Sequence, residues 1–271
     1  MAAARPVPQL MGILNVTPDS FSDGGQLADV RQVLQRARQH VAEGATWLDL
    51  GAESTRPGAK LITVGEELRR LLPALQALKA AKLGARISID TRRAAVAAQA
   101  LAHGADAIND VSALSDAEMA PLVAEAQVPI IVMHYGGPAP IGGAQGAHYA
   151  DVVQEVAAFL TGVRDRALVA GIARHNIWFD PGLGFGKTQA HSLALLQHLH
   201  KLVALGQPVV LGPSRKGFLQ RLVGKSSHAC DPATAAACCV ATLQGAHLLR
   251  VHAPGAVSDA VRVAAALRAS A

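Results

Sequence analysis

RISIDTRRAAVAAQALAHGADAIND, residues 86–110, contains one complete cycle of this chain. Arg86–Asp90 is a short apolar run that ends on a carboxylate, and Arg93–His103 carries its apolar residues at helical spacing. Gly104-Ala105 stops that helix, because glycine tolerates a left-handed cap. Ala107–Asn109 is then a second apolar run ending on a polar group. Strand, polar loop, helix, cap and strand again is the pattern of a right-handed βαβ unit.

The cycle repeats outward in both directions. Apolar runs of strand length occur at Leu10–Val16, Trp47–Gly51, Arg86–Asp90, Ala107–Asn109, Pro129–His134, Ile177–Asp180, Pro208–Leu211 and Leu248–His252. Helical spacing predicts Ala28–Glu43, Gly65–Lys82, Arg93–His103, Asp116–Ala126, Tyr149–Ala170, Ala190–Leu205, Asp231–Gln244 and Ala256–Ala269. Gly44-Ala45 and Gly245-Ala246 repeat the cap. Eight units close a barrel where six would leave an open sheet, so the fold class is α/β, an eight-stranded parallel (β/α)8 TIM barrel. At 271 residues, with no composition shift or linker, the chain reads as a single domain, 1–271, with its core at about 10–268. The runs close on Asn15, Asp49 with Glu53, Asp90, Asn109, His134, Asp180, Ser214 with Lys216, and Arg250 with His252. In a barrel those strand ends form one face, where active sites are built.

Composition excludes several functions. The net charge of +5 is spread over scattered arginines and lysines, and aromatics are only 3%, so a nucleic-acid surface is not expected. A mild positive balance suits a small anionic substrate. Met1–Gln9 lacks the apolar core of a signal peptide, and no stretch approaches the ~20 apolar residues of a membrane span. Membrane association is therefore not expected, and a reducing cytoplasm is. Cys230, Cys238 and Cys239 lack zinc spacing and read as small helix residues.

The strand ends carry the chemistry. Asp90 and Asp180, with Asn109 between them in strand order, could read a ligand edge that offers adjacent N–H groups; the alternative pairs them with Arg92 or Lys216. Arg250 can grip a phosphate with two parallel bonds, beside His252. The following Ala253-Pro254-Gly255 opens a helix whose free N–H groups would face the same anion. Asn15 could supply a neutral oxygen to Mg²⁺ shared with phosphate, or else cap the turn at Thr17-Pro18. In Gly212–Gly217, an irregular loop, Lys216 can enter the pocket while Arg215 stays near the rim. This segment lacks the spacing of a P-loop. His191, His198 and His200 read as a solvated face, and no Ser-His or Cys-His pair offers a nucleophile. The loops Thr17–Gln26 and Ala52–Val64 carry Asp, Ser, Thr, Arg and Phe and read as functional lids, whereas Tyr135–His148 reads as a flexible connector.

Seven stretches, GILNVTPDSFSDGG (12–25), DLGAESTRPGA (49–59), ISIDT (87–91), AIND (107–110), FDPGLGFGKT (179–188), GPSRKGF (212–218) and LLRVH (248–252), resemble the dihydropteroate synthase family in order and spacing across residues 10–268. The resemblance implies a TIM barrel that joins 7,8-dihydropterin pyrophosphate to 4-aminobenzoate, giving 7,8-dihydropteroate and pyrophosphate in folate biosynthesis. It implies pterin contacts from Asp90, Asn109, Met133, Asp180, Phe185 and Lys216. Diphosphate would lie on Asn15 (with Mg²⁺), Thr55, Arg56, Arg250 and His252, and aminobenzoate against Phe21, Pro57, Phe185, Ser214 and Arg215. The groups expected at the chemistry itself are Asp90, Lys216, Arg250 and His252. No nucleophile is implied: loss of Mg-bound pyrophosphate precedes attack by the amine. A cytoplasmic homodimer is implied as well. Two departures stand out. Ala52 replaces a glycine, and Ala253-Pro254 replaces the Asp-Val of the family's RVHDV. Some sulfonamide-insensitive members carry a similar His-Ala-Pro-Gly run, which leaves open a resistance-type enzyme. A pterin-dependent methyltransferase barrel would need neither the SRK loop nor the SFSDGG lid, and a non-catalytic phosphate- or partner-binding barrel would release no pyrophosphate.

Overall fold

The computed structural model describes residues 7–16, 25–54, 61–136 and 148–270. Its strands are β1 Gln9–Asn15, β2 Trp47–Gly51, β3 Arg86–Asp90, β4 Ala107–Asp110, β5 Ile130–Met133, β6 Ile177–Asp180, β7 Val210–Leu211 and β8 Leu248–Val251. They form one parallel sheet in the order β6-β5-β4-β3-β2-β1-β8-β7. A single bridge, Phe179 to Val209, joins the two edges and nearly closes the barrel. The helices between strands are α1 Gly25–Ala42, α2 Val64–Ala81, α3 Ala94–Ala102, α4 Met119–Ala126, α5 Val152–Val169, α6 Gln189–Gln197, α7 Leu199–Val203, α8 Gly217–Val223, α9 Asp231–Leu243 and α10 Ser258–Ala269.

The local reasons follow from the residues. Gly44, Gly104 and Gly245 all have positive φ where α1, α3 and α9 hand over to strands. Thr63 and Asp151 cap α2 and α5 by accepting backbone N–H bonds. Two expectations need correction. The predicted helix Ala190–Leu205 is broken at His198, which ends α6 and starts α7, with the His200 ring held by Gln244 on α9. Gly212–Lys216 is irregular as expected, but α8, which begins directly after it, has no counterpart among the predicted helices. β7 is also shorter than Pro208–Leu211.

Burial separates into two apolar regions. The larger lies between sheet and helices and includes Leu48, Leu50, Ile89, Ile108, Leu71 and Leu75. The smaller fills the barrel interior: Met11, Trp47, Ala107, Ile131, Val210 and Leu248, with Trp178 packed against it. Period-2 alternation explains the second set, since every other residue of a barrel strand faces inward. Trp47 and Trp178 meet edge to face at 5.5 Å and plug the barrel below its C-terminal mouth.

Candidate active site

The polar layer rests on that plug and comes from the next inward positions of the same strands. Above Trp47 stands Asp49, above Ala107 stands Asn109, above Trp178 stands Asp180, and above Leu248 stands Arg250. Strand register aligns the rim: Asn15 pairs with Gly51, Gly51 with Asp90, and Asp90 with Asn109. Met133 pairs with Asp180 on the opposite side.

Arg250 is the centre of the layer. Its Nε donates to Asp49 Oδ2 at 2.5 Å and its Nη2 to Asp90 Oδ2 at 2.8 Å. Asn109 Nδ2 donates to the same Asp49 oxygen at 3.0 Å. Asp49 Oδ1 is fully buried and accepts nothing from the described residues. Burial pushes the Asp90 carboxyl up to about 7, with Arg250 pulling against it and Asp49 adding to it. Burial also raises Asp180, opposed by Lys216 and by the Gly182 N–H, which Asp180 accepts at 2.7 Å. The Lys216 ammonium donates to the Leu183 carbonyl at 2.7 Å and lies 3.8 Å from the Phe185 ring centroid. Burial pulls it down to about 7, against the pull of Asp180 and with the help of Arg250.

Ser214 and His252 hold each other at the seventh and eighth strand ends. The Ser214 hydroxyl accepts the His252 backbone N–H at 3.2 Å and lies 3.0 Å from its Nδ1. Arg215 is turned away from them: its guanidinium makes a two-point ion pair with Asp231 at the start of α9, both bonds 2.9 Å. The structure thus brings Asp90, Asn109, Met133, Asp180, Phe185, Lys216, Ser214, Arg250 and His252 to one mouth, with Asn15 on its rim. Phe21, Thr55, Arg56 and Pro57 lie outside the described residues.

The anion site expected after β8 needs correction. Pro254–Ala256 is a single 3-10 turn, and the Gly255 N–H is taken by the Glu43 carboxylate at 3.0 Å on the outer side of β1. The N–H groups of Gly255, Ala256 and Val257 are therefore spent within the protein. The histidines read as a solvated face are likewise partly employed, since His191 completes a capping box with Thr188. Arg92 pairs with Glu53, not with Asp90.

Sequence reasoning passed over Asp49 as a binding-layer residue, although its place two residues after an inward tryptophan marks it. It also missed Lys187, whose buried ammonium contacts His134, and the Glu53–Arg93–Glu67 cluster at the root of the second loop.

Among the described residues no group of His, Cys, Asp and Glu could hold a metal by itself. Asn15 ends β1 half-buried at the rim, and its side-chain amide makes no hydrogen bond to a described residue. That donor suits an ion taking most of its ligands from phosphate and water.

Known proteins resemble this chain over most of its length. The family model described as pterin binding enzyme matches residues 11–252. A dihydropteroate synthase of Streptococcus pyogenes is 46% identical over 246 residues, covering 90% of this chain and 89% of that protein. A Xanthomonas albilineans dihydropteroate synthase solved with 4-aminobenzoic acid superposes with a TM-score of 0.89 at 43% identity, covering 96% and 93% of the two chains. The same bacterium's enzyme in complex with 7,8-dihydropteroate gives 0.86 at 40% identity, covering 96% and 94%.

Proposed function

The chain belongs to the pterin-binding enzyme family and is a transferase that makes dihydropteroate in folate biosynthesis; we propose that it does so by binding 7,8-dihydropterin pyrophosphate in the polar layer and stabilising departure of its pyrophosphate before 4-aminobenzoate attacks. The observation that carries the reading is the Asp49–Arg250–Asp90 arrangement with Asn109, buried above the tryptophan plug and open toward the mouth.

A pterin edge offers an amino group and ring N–H groups, which need facing acceptors. Asp180 and the free oxygens of Asp49 and Asp90 supply them, and Lys216 supplies a donor. Such a site rejects analogues that lack the matching hydrogen bonds. Met133 and Phe185 provide apolar contact for the flat ring. Arg250 uses two of its five N–H donors on carboxylates, leaving the rest for the leaving anion. His252, tied to Ser214, stands beside it, and the family resemblance assigns Thr55 and Arg56 to the same diphosphate.

Mg²⁺, held by Asn15 together with substrate oxygens, would neutralise charge on the pyrophosphate. As that group leaves, the methylene carbon bears positive charge delocalised into the electron-rich dihydropterin. Side chains that favour the anion therefore lower the barrier without a covalent enzyme intermediate. Phe185 and Ser214 would bound the aminobenzoate site, to which the family resemblance also assigns Phe21 and Pro57, with Arg215 fixing the loop through Asp231 and not by direct contact. Exclusion of water protects the cation until the amine arrives.

The test is incubation with both substrates and measurement of pyrophosphate and dihydropteroate. Release of pyrophosphate without coupled product would refute the synthase reading. Chelation should stop turnover and added Mg²⁺ restore it, with Asn15→Ala raising the Mg²⁺ needed; turnover indifferent to chelation would remove the ion from the mechanism.

The working form we propose is a cytoplasmic homodimer. No helix among the described residues is long and apolar enough to cross a membrane, and the three cysteines are free thiols. Val240 and Leu243 on α9 and Val263 and Leu267 on α10 are exposed. These two helices pack together through Arg268 and Cys239, so the four residues form an apolar stripe suited to a second copy. Light scattering should give twice the chain mass, and Leu243→Glu with Leu267→Glu should give one; a monomeric parent protein would refute it.

A further inference from the structure

The turn Pro181–Gly186 carries Phe185 into the mouth; its bonds to Asp180, Ser192 and Lys216 hold its own shape but do not tie it to the segment after β5. Gly182, Gly184 and Gly186 all have positive φ, and Leu183 is its one deeply buried aliphatic side chain. It lies backbone to backbone on the segment after β5: a Cβ on Gly182 would come 2.1 Å from the His134 carbonyl, and one on Gly186 would come 2.2 Å from that of Gly136. One ring pair also joins the two segments, Tyr135 and Phe185 with centroids 6.0 Å apart, so the Phe185 ring needs its backbone held as well.

The Lys187 ammonium sits inside this turn. Its Nζ is 3.1 Å from the carbonyl oxygens of Gly182, Phe185 and His134, and 2.9 Å from His134 Nδ1. Burial pulls Lys187 down to about 7, and where it is protonated it can only donate, so that Nδ1 accepts and the His134 proton resides on Nε2. Burial, with Lys187 nearby, holds His134 at about 3, so the ring is neutral and able to accept. Four acceptors surround one cation that is 7% exposed, much as oxygen ligands surround a metal ion in a binding loop. From the opposite side, Lys216 lies on the face of the same Phe185 ring.

We propose that Lys187 is a positioning residue for the aminobenzoate site: its ammonium ties the turn 182–186 to the segment 134–136 and thereby sets the Phe185 ring. It touches no substrate. The inference rests on the reading that Phe185 walls the aminobenzoate pocket, and the two can fail separately.

The experiment is steady-state kinetics of the full chain with both substrates, in a double-mutant cycle. Lys187→Met should raise the KM for 4-aminobenzoate by about tenfold, the loss of one to two charge-assisted hydrogen bonds. The KM for the pterin diphosphate should rise too, because the same ring packs on the pterin, and Phe185→Ala should raise it in the same way. Phe185→Ala should raise the aminobenzoate KM as well, and Lys187→Met should add nothing in its presence, because residues acting through one another are non-additive. Lys187→Gln, which keeps two donors, should fall between. If the methionine variant does not fold by circular dichroism, the glutamine variant enters the same cycle. Effects that multiply, or a Lys187 variant that leaves the aminobenzoate KM unchanged while Phe185→Ala raises it, would overturn the proposal. No effect of Phe185→Ala would instead refute the assignment of the pocket.

Discussion

Two groups at the mouth face each other with opposed titrations. Burial lifts Asp90 toward about 7 and lowers Lys216 toward the same value. Pterin recognition needs the carboxylate ionised and the amine protonated. The kcat/KM for the pterin diphosphate should therefore peak near pH 7, falling on the acid side as Asp90 gains a proton and on the alkaline side as Lys216 loses one. Lys216→Arg keeps its charge throughout, so the alkaline limb should flatten while the acid limb stays; a parent profile level across both limbs would contradict this. The stability sign is separate. Because the fold lowers the Lys216 pKa, the unfolded chain holds that proton to higher pH. The residue's contribution to stability is thus complete above its ordinary pKa and is lost as pH falls through about 7. Asp49→Ala would strand Arg250 and Asn109, lowering stability by about 3 kcal/mol in urea titration, with a matching fall in kcat/KM.

At the scale of elements, the second loop is rooted by charge. Arg93 Nη2 donates to Glu53 Oε1 at 2.7 Å and to the Ile62 carbonyl at 2.8 Å, while its Nη1 meets Glu67. Glu67 is fully buried and also accepts from Thr91 at 2.6 Å. One guanidinium therefore joins the start of the loop, its end, α2 and the entry to α3. Arg93→Ala leaves the Glu67 carboxylate buried without its cation, so stability should drop by about 3–5 kcal/mol; a loss under about 1 kcal/mol, as for a surface pair, would show the cluster to be ornamental. Gly44→Ala makes a contrast. The added Cβ meets nothing within 4 Å, but φ is +98°, so the cost is conformational alone, about 1–2 kcal/mol, with kinetics unchanged.

These cases also show what the sequence made legible. The glycine caps and the strand ends could be read because each is a local signal: a turn conformation, or an apolar run stopping on a polar residue. Asn15, Asp90, Asn109 and Asp180 fall on one rim because parallel strands in register align such stops automatically. Partnerships could not be read. Arg250 looked like a free anion ligand because Asp49 and Asp90 are far from it in the chain, and the Pro254 turn looked like an open helix end because Glu43 lies on another element. α8, only seven residues long, gives too few turns for a periodic pattern.

The molecule as a whole depends on one seam. Seven of the eight junctions around the barrel are strand ladders, but β6 and β7 share a single bridge. A side chain takes over what the backbone does elsewhere. The buried Gln207 amide donates to the carbonyl oxygens of Arg174 at 2.7 Å and Ile177 at 3.0 Å, and accepts from Arg174 Nη1 at 3.1 Å. Next to it, the Phe179 N–H reaches the Pro208 carbonyl at 2.8 Å. Gln207→Ala strips two carbonyls of their partner where water replaces it poorly, costing about 2–4 kcal/mol. The loss should be local as well as global. In hydrogen exchange, the Phe179 amide should lose protection more than those of Leu48 and Ile89, which lie in the ladder between β2 and β3. Because Asp180 ends β6 at the seam, the variant's pterin KM should rise with it. A uniform loss of protection would mean that the barrel opens everywhere at once and that Gln207 is only one buried hydrogen-bonding group among many.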